Sequence, residues 1–295
     1  MQYIQLGSLA FMTSLSGVGA PLLFLGGTRS DLRQPGAHTS PLVRHFTVLA
    51  FDQRGMGQSA KPPGPYRMQD YATDAMNLLD AVGWPDAHVV GYSFGGMVAQ
   101  ELAIRTPERV RTLTLIASTA GGAGGASWPI HELLGLPDAV AARKSLEILN
   151  LDFNPVWQQQ HPQEAEHKIR LRMQQMAAYR DEPGAGAGLL AQLDARARHD
   201  TYTRLGQITA PTLVLAGTRD GQAPLAAQQR MAAQIPRCRF ETYPGGHAFL
   251  FETDTLYRRI ITTLNAPGWS RESQAPAHHP VNGQYPPDPA PDASA

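Results

Sequence analysis

The chain has 295 residues, 42% of them hydrophobic, so it can bury the core of one large α/β domain or of two ordinary domains. Lys and Arg together number 25, as do Asp and Glu, and this balance excludes the positive field of a nucleic-acid-binding or acidic-membrane-binding protein. The one cysteine, Cys238, excludes an internal disulfide and a cysteine-rich metal site. The N-terminus lacks the features of a signal peptide, and no apolar run approaches the ~18 residues of a membrane span, so we expect a cytoplasmic protein.

Apolar segments with the length of strands alternate with helical segments in the first 117 residues. The uninterrupted apolar runs 21–25 and 46–51 are followed by glycine-containing turns, which is typical of strands buried on both faces of a parallel sheet. The spacing of apolar residues predicts a helix over 68–82. Further short strands are predicted at residues 3–6, 10–12, 87–90 and 112–117.

The pattern changes after a glycine-rich joint at residues 121–126. No strand is predicted in residues 128–206, and helices are predicted at about 137–149, 162–180 and 188–198. The middle helix carries Ile169, Met173 and Met176 on one face, which indicates either ordinary packing or the lining of an apolar substrate pocket. An all-helical insertion of this kind predicts a lid over the carboxyl edge of the sheet, where open α/β sheets bind ligands.

Alternation of strands and helices resumes at Pro211, with strands predicted at 212–217 and 239–243 and helices at 224–234 and 248–264. This order predicts an α/β fold with a mostly parallel, doubly wound sheet that has helices on both faces.

The sequence therefore predicts a division into three parts. The parts are an α/β core formed by residues 1–127 and 207–265, a helical cap at 128–206, and a disordered tail rich in Pro and Ala at 266–295.

Ser93 lies between Gly91 and Gly95 at the point where a predicted strand turns into a helix. This is the G-x-S-x-G pattern of a nucleophile elbow, in which a sharp turn presents a serine hydroxyl above the sheet. Side chains at the two glycine positions would collide with the turn or with a neighbouring strand. A glycine-rich turn with a capping serine would give the same pattern, so the rest of the chain has to decide.

Two later residues supply the partners that a serine nucleophile needs, because a serine hydroxyl is barely nucleophilic at neutral pH. Asp220 follows the strand at 212–217, and His247 follows the next strand in a Gly-Gly-His turn. The carboxyl ends of parallel strands share one edge, and the order Ser, Asp, His is that of a triad on this architecture. We therefore predict Ser93 as nucleophile, His247 as base and Asp220 as the group that orients the base.

Other polar residues are predicted to be structural. Asp52 also follows a strand, but its glycine-punctuated turn predicts hydrogen bonds to that turn's backbone. His88 and Cys238 lie in predicted strands and are expected to pack there. His199 with Asp200 is interpreted as structural, with a substrate contact as the alternative. Three further histidines of the insertion, His131, His161 and His167, have no partners at metal-ligand spacing, so no metal site is predicted.

Acyl transfer also needs donors for the developing oxyanion. The backbone N–H of Phe94, the residue after the nucleophile, is one predicted donor. The second is predicted in the loop after the strand at 21–25, at Gly27, or at Thr28 if the register shifts by one residue.

These motifs together resemble the α/β-hydrolase superfamily over residues 1–265. The sequences that carry the resemblance are Leu-Gly-Gly at 25–27, Asp-Gln-Arg-Gly-Met-Gly-Gln-Ser at 52–59, Gly-Tyr-Ser-Phe-Gly-Gly at 91–96, Gly-Thr-Arg-Asp at 217–220 and Gly-Gly-His at 245–247. The cap and the Leu-Gly-Gly loop are similar to those of small esterases, methylesterases and enol-lactonases.

The resemblance implies a Ser-His-Asp hydrolase that needs no cofactor and has a cap that selects the substrate. Many relatives have a histidine where Leu25 stands, which bears on the polarity of the pocket. Phe94 stands where the proline iminopeptidase branch has a tryptophan, which argues against a peptidase. Ser93 excludes membership among the relatives that use an aspartate as nucleophile.

We therefore expect hydrolysis of a small carboxylic ester or lactone through an acyl-enzyme, with a small molecule as the only partner and no nucleic acid or membrane. Three alternatives remain open at this stage. They are hydrolysis of a carbon–carbon bond, acyl transfer to an alcohol or peroxide on the same site, and ligand binding without catalysis. The sequence leaves a monomer and a dimer equally open.

Overall fold

The computed structural model describes residues 1–269, so residues 270–295 of the predicted tail lie outside the described residues. Eight strands form one sheet: β1 Gln2–Leu6, β2 Leu9–Ser16, β3 Ala20–Leu25, β4 Phe46–Phe51, β5 Ala87–Tyr92, β6 Val110–Ile116, β7 Thr212–Gly217 and β8 Cys238–Tyr243. The α-helices of the described residues are α1 Met68–Ala81, α2 Phe94–Arg105, α3 Asp138–Leu149, α4 Pro155–Gln160, α5 Pro162–Ala177, α6 Ala185–Ala197, α7 Leu225–Gln234 and α8 Thr255–Leu264.

The sheet is mostly parallel, as the sequence predicts. Its order is β1-β2-β4-β3-β5-β6-β7-β8, and only β2 runs antiparallel to its neighbours β1 and β4. The pairs from β4 through β3, β5, β6 and β7 to β8 are all parallel. The carboxyl ends of β3, β5, β7 and β8 therefore open on one edge.

The central strands are mostly apolar because both of their faces are covered. In β3, Leu23 and Leu25 pack into the core layer that contains α1, α2 and α7. Leu22 and Phe24, which alternate with them, pack into the opposite layer, which contains α8. This arrangement confirms the predicted doubly wound architecture.

The insertion between β6 and β7 contains the helices α3 to α6, and residues 128–206 include no strand. An isolated bridge between Gly121 and Asp200 joins the two ends of this segment. Met173 and Met176 pack against a cluster that includes Ala142 and Phe153, which favours ordinary packing for these methionines. The domain boundaries at residues 127 and 206 remain predictions.

Two helices differ from the sequence expectation. The segment predicted as one helix over 162–180 ends at Ala177 and is preceded by the short helix α4, which Asn154 caps through its side chain. The helix predicted over 248–264 begins only at Thr255, after a 3-10 turn at Phe249–Phe251. Phe249 is buried in the core beside α8, so its apolar character reflects this single turn and not the face of a long helix.

Within residues 1–269, no helix is both long and apolar enough to cross a membrane.

At Gly188, helix α6 of the insertion contacts the core with backbone against backbone. A Cβ placed on Gly188 would lie 2.1 Å from the carbonyl oxygen of Gly55 and 2.9 Å from its Cα. Real Cβ atoms do not approach a carbonyl oxygen so closely, so Gly188 is required for this contact. Gly186, two residues earlier on the same helix, has no atom within 4 Å of the equivalent Cβ position.

We expect Gly188→Ala to lower the free energy of unfolding by about 1–3 kcal/mol, because the new methyl group pushes α6 away from the core. Gly186→Ala is the matched control, and it should leave stability unchanged or raise it by up to about 1 kcal/mol, since alanine favours a helix. Urea unfolding of the two variants measures the difference. Equal effects of the two substitutions would contradict the close contact.

Candidate active site

Ser93 occupies a sharp turn between β5 and α2. Its backbone has φ 54° and ψ −117°, a conformation that non-glycine residues rarely adopt. A Cβ on Gly91 would lie 2.5 Å from the carbonyl oxygen of Gly95, and a Cβ on Gly95 would lie 2.0 Å from that of Leu25. The two glycines thus let the turn close and let α2 begin directly beside β3.

The three side chains predicted as a triad lie in one hydrogen-bonded row. His247 Nδ1 is 2.8 Å from Asp220 Oδ2, and His247 Nε2 is 2.8 Å from Ser93 Oγ. Because the Asp220 carboxylate can only accept, Nδ1 carries the ring proton and Nε2 is free to accept the proton of the serine hydroxyl. All three residues are buried, with exposed fractions of 5% for Ser93, 2% for Asp220 and 3% for His247.

Asp220 is held by the backbone that follows it. Its Oδ1 accepts hydrogen bonds from the backbone N–H groups of Gln222 at 2.9 Å and Ala223 at 2.8 Å. These donors satisfy one carboxylate oxygen, so that the other remains directed at His247. The carboxylate is therefore fixed before any substrate arrives.

The loop that carries His247 is fixed by the strand residue Tyr92 and by the insertion. The Tyr92 hydroxyl donates to the carbonyl oxygen of His247 at 3.2 Å, and the two rings lie 5.4 Å apart. The backbone N–H of His247 donates to the carbonyl oxygen of Leu149 at the end of α3, at 2.6 Å. Helix α3 therefore contributes directly to the position of the histidine.

Gln222 is a site residue that the sequence analysis missed. Its Nε2 lies 2.7 Å from His247 Nε2 and 3.4 Å from Ser93 Oγ, so its amide contacts both reactive atoms. The amide and the serine hydroxyl are thus two donors for the one lone pair of the histidine. A glutamine two residues after Asp220 was the available signal, but only the turn at 220–223 brings it back to the serine.

The predicted oxyanion loop lies against the nucleophile. A Cβ on Gly27 would lie 3.4 Å from the Cβ of Ser93 and 3.1 Å from the ring of Tyr92. Gln53 Nε2 donates to the carbonyl oxygen of Gly26 at 2.8 Å and so supports this loop from below. Phe94 is the first residue of α2. The assignment of the Gly27 and Phe94 N–H groups as oxyanion donors remains a prediction.

Asp52 has the structural contacts that its turn predicts. Its carboxylate accepts from the backbone N–H of Leu32 at 2.7 Å and of Gln58 at 2.8 Å. Burial raises the pKa of Asp52 to about 6 although both backbone hydrogen bonds oppose this shift. It takes no part in the row that contains Ser93.

Other candidates are buried away from the triad. His88 Nδ1 lies 2.8 Å from Thr112 Oγ1, and burial lowers the pKa of His88 to about 4. Burial lowers the pKa of His199 to about 3, so this ring is neutral. Burial raises the pKa of Cys238 to about 12, which makes this thiol unreactive. Among residues 1–269, no group of three or more His, Cys, Asp or Glu side chains could hold a metal ion.

Comparison with known proteins identifies the family. The sequence profile described as "alpha/beta hydrolase fold" matches residues 34–254, which is well over half of the chain. The chain is an α/β hydrolase.

Named relatives of this α/β hydrolase are hydrolases. It is 32% identical over 228 residues to a candidate carbamate hydrolase, RutD, of Variovorax paradoxus, covering 75% of this chain and 83% of that protein. It is 30% identical over 220 residues to 3-oxoadipate enol-lactonase 2 of Acinetobacter baylyi, covering 74% of this chain and 78% of that protein. The enol-lactonase of Burkholderia xenovorans superposes with a TM-score of 0.72 over 90% of this chain and 100% of that one. Its sequence identity is 20%, so that likeness shows the fold.

We expect Gln222→Leu to speed the reaction of Ser93 with a fluorophosphonate by about two- to fivefold, because the hydroxyl no longer shares the histidine lone pair with the amide. The measurement is the second-order rate of labelling, with Gln228→Leu as a control at a glutamine that binds the carbonyl oxygen of Ala223 and not the histidine. Slower labelling of Gln222→Leu would show that the amide assists the serine instead.

We expect acid to destabilise the protein through His199. The ring is neutral when folded, with a pKa of about 3, whereas the unfolded chain takes up a proton near pH 6.5. The free energy of unfolding should therefore fall as the pH drops from 6.5 towards 3. His199→Leu should make the slope shallower by about 1.4 kcal/mol per pH unit, measured by urea unfolding at several pH values. The same slope in the wild-type and His199→Leu proteins would contradict this assignment. His131→Leu, at an exposed site, is the control and should keep the wild-type slope.

Proposed function

We propose that this α/β hydrolase is a serine hydrolase that cleaves a small carboxylic ester or lactone through an acyl-enzyme. The observation that carries the proposal is the row of Ser93, His247 and Asp220, in which both hydrogen bonds measure 2.8 Å. The relative named as an enol-lactonase supports the choice of an ester or lactone carbonyl.

In the first half of the reaction, His247 Nε2 takes the proton of Ser93 Oγ as this oxygen attacks the carbonyl carbon. The backbone N–H groups of Phe94 and Gly27 would hold the oxygen that becomes negative. Asp220 keeps the imidazole in the required tautomer and stabilises its cation. His247 then gives its proton to the leaving alkoxide, and the acyl group stays on Ser93.

The acyl-enzyme is released by water along the same route. His247 takes a proton from the water as its oxygen attacks the acyl carbon, and it returns that proton to Ser93 Oγ. The side chain of Gln222 lies where a water must approach the histidine, so its amide has to shift or to donate to that water. The reaction therefore needs no group beyond those of the chain and a water molecule.

Residues 128–206 are proposed to act as the cap that selects the substrate. The end of α3 binds the His247 loop through Leu149, and α5 packs on α3 within the insertion. The alternative of acyl transfer to an alcohol or peroxide uses the same steps, with that molecule in the place of water.

We expect Ser93→Ala to abolish turnover of 4-nitrophenyl butyrate while the far-ultraviolet circular dichroism stays unchanged. Asp220→Asn should lower kcat by about 10⁴-fold, since the histidine loses its orienting acceptor. Asp52→Asn, at a buried carboxylate outside the row, is the control and should change kcat by less than about tenfold. Full activity of Ser93→Ala would reject the mechanism, and failure of a fluorophosphonate to label Ser93 would favour a ligand-binding protein without catalysis.

Carbamate hydrolysis is the second candidate, because a relative with 32% identity is named for it. A carbamate presents the same carbonyl to Ser93 but a nitrogen substituent reduces its electrophilic character. Paired 4-nitrophenyl esters and carbamates, with a lactone and a vinylogous diketone for carbon–carbon cleavage, separate these reactions by kcat/KM. A carbamate preferred over its matched ester would replace the ester proposal.

A further inference from the structure

Arg172, on α5 of the insertion, carries a positive charge that no carboxylate of residues 1–269 neutralises within 4.0 Å. Its Nε donates to Ser145 Oγ at 3.0 Å, and its Nη1 lies 3.3 Å from Gln175 Oε1. Arg54, another partly buried arginine, is instead paired with Asp74 at 2.6 Å. The buried Arg196 resembles Arg172 in having no carboxylate within 4.0 Å in residues 1–269, and its Nη1 donates to the carbonyl oxygen of Trp128. Neutral oxygens alone satisfy a guanidinium poorly, since charged partners form the stronger hydrogen bonds.

Arg29 is a second such cation beside the first. It has φ 63° in the loop after β3, and its Nη2 donates to the carbonyl oxygen of Met176 on α5 at 2.5 Å. No carboxylate in the described part of the chain forms an ion pair with it. Met176 is four residues, about one turn, after Arg172 on α5, so this hydrogen bond brings Arg29 near Arg172. Burial and the charge of Arg29 both lower the pKa of Arg172.

Both cations lie on the triad side of the insertion. Arg29 is two residues beyond Gly27, the loop residue that lies against Ser93. Arg172 donates to Ser145 on α3, and Leu149, one turn later on α3, accepts the backbone N–H of His247. A ligand between these two arginines would therefore be adjacent to the nucleophile.

Two further donors near Arg29 have no partner. Gln192 Oε1 accepts from the backbone N–H of Arg29 at 3.0 Å, which leaves the buried Nε2 of Gln192 unsatisfied. The hydroxyl of Thr28, in the same loop, is also buried without a hydrogen bond. Unsatisfied buried donors are costly and are rare in folded proteins unless a ligand or water completes them. A carboxylate accepts about four hydrogen bonds, which suits the two guanidinium groups, the amide and the hydroxyl.

We propose that Arg29, Arg172, Gln192 and Thr28 bind a carboxylate of the substrate, so that the ester or lactone cleaved at Ser93 carries a second, ionised carboxyl group. This inference rests on the proposed function and names the class of substrate that it takes. The structural basis is one cluster of unneutralised cations and unpaired donors between the oxyanion loop and helices α5 and α6.

The test compares charged and neutral esters of matched size. Mono(4-nitrophenyl) glutarate against 4-nitrophenyl butyrate places the carboxylate on the acyl side, and 4-acetoxybenzoate against phenyl acetate places it on the leaving side. We expect kcat/KM of the wild-type protein to favour the charged member of at least one pair by about tenfold or more. In Arg172→Met this ratio should fall towards one, and Arg172→Lys should restore part of it.

Arg170→Met is the matched control, because Arg170 is on the same helix but exposed and paired with Glu166. It should keep the wild-type ratio, which separates the loss of this site from a general loss of positive charge. A wild-type protein without preference for either charged ester, or a preference that survives in Arg172→Met, would overturn the proposal.

A binding experiment distinguishes failure of this site from failure of the proposed function. If no ester is cleaved, the proposed function is wrong, and the carboxylate site is then tested with glutarate on the Ser93→Ala protein. We expect glutarate to raise the Tm of Ser93→Ala and to leave that of Ser93→Ala with Arg172→Met unchanged. Equal effects of glutarate on both proteins, or none on either, would reject the carboxylate site.

Discussion

The close contact between the start of α2 and the end of β3 is the constraint on which the site depends. Gly95 lies so near the carbonyl oxygen of Leu25 that a methyl group there would reach within 2.0 Å of it. This contact brings the oxyanion loop, which begins after Leu25, directly beside Ser93. The backbone of Ser93 in the same turn has φ 54°, a strained conformation that the surrounding sheet and helix must maintain. Ser93, the proposed nucleophile, and the predicted oxyanion donors are therefore brought together by one packing contact in the core.

The insertion contributes to this site because its helix α3 forms part of the support of His247. The last carbonyl groups of a helix have no partner within the helix. At the end of α3, Leu149 offers such a carbonyl to the backbone N–H of His247, and the N–H of Leu151 bonds to the carbonyl oxygen of Arg219 at 2.9 Å. A movement of α3 would therefore displace both the His247 loop and the segment that precedes Asp220. These hydrogen bonds therefore join the position of α3 to the alignment of Ser93, His247 and Asp220.

The core strands could be predicted from the sequence, and so could the grouping of Ser93, His247 and Asp220 in one hydrogen-bonded row, because each depends on a local pattern. Three signals lie in consecutive residues and can be recognised there. They are the uninterrupted apolar run of a strand buried on both faces, such as β3, the serine between two glycines, and the polar residues directly after two strands. The only signal for Gln222 was its place two residues after Asp220, and Arg172 left none, since the position of each depends on a turn or helix whose orientation is set by packing between distant segments. The boundary errors at α5 and α8 have a similar cause. Burial of Phe249 in a separate turn gives the same apolar spacing as a continuation of α8, and only the tertiary contacts distinguish the two.

The polarity of the site depends on the hydrogen bonds that join the insertion to the core. An apolar lining by Met173 and Met176 was one expectation, but the side chains of both pack against the helical cluster around Phe153. Met176 turns a carbonyl oxygen towards Arg29, and Gln192 turns an amide oxygen towards the backbone of the same residue. The loop after β3 is thus joined to the insertion by hydrogen bonds. In this loop and in Gln192 the hydrogen-bond donors outnumber the acceptors that they contact. A site built in this way favours a substrate that brings acceptors of its own, and an apolar acyl chain would leave those donors unsatisfied.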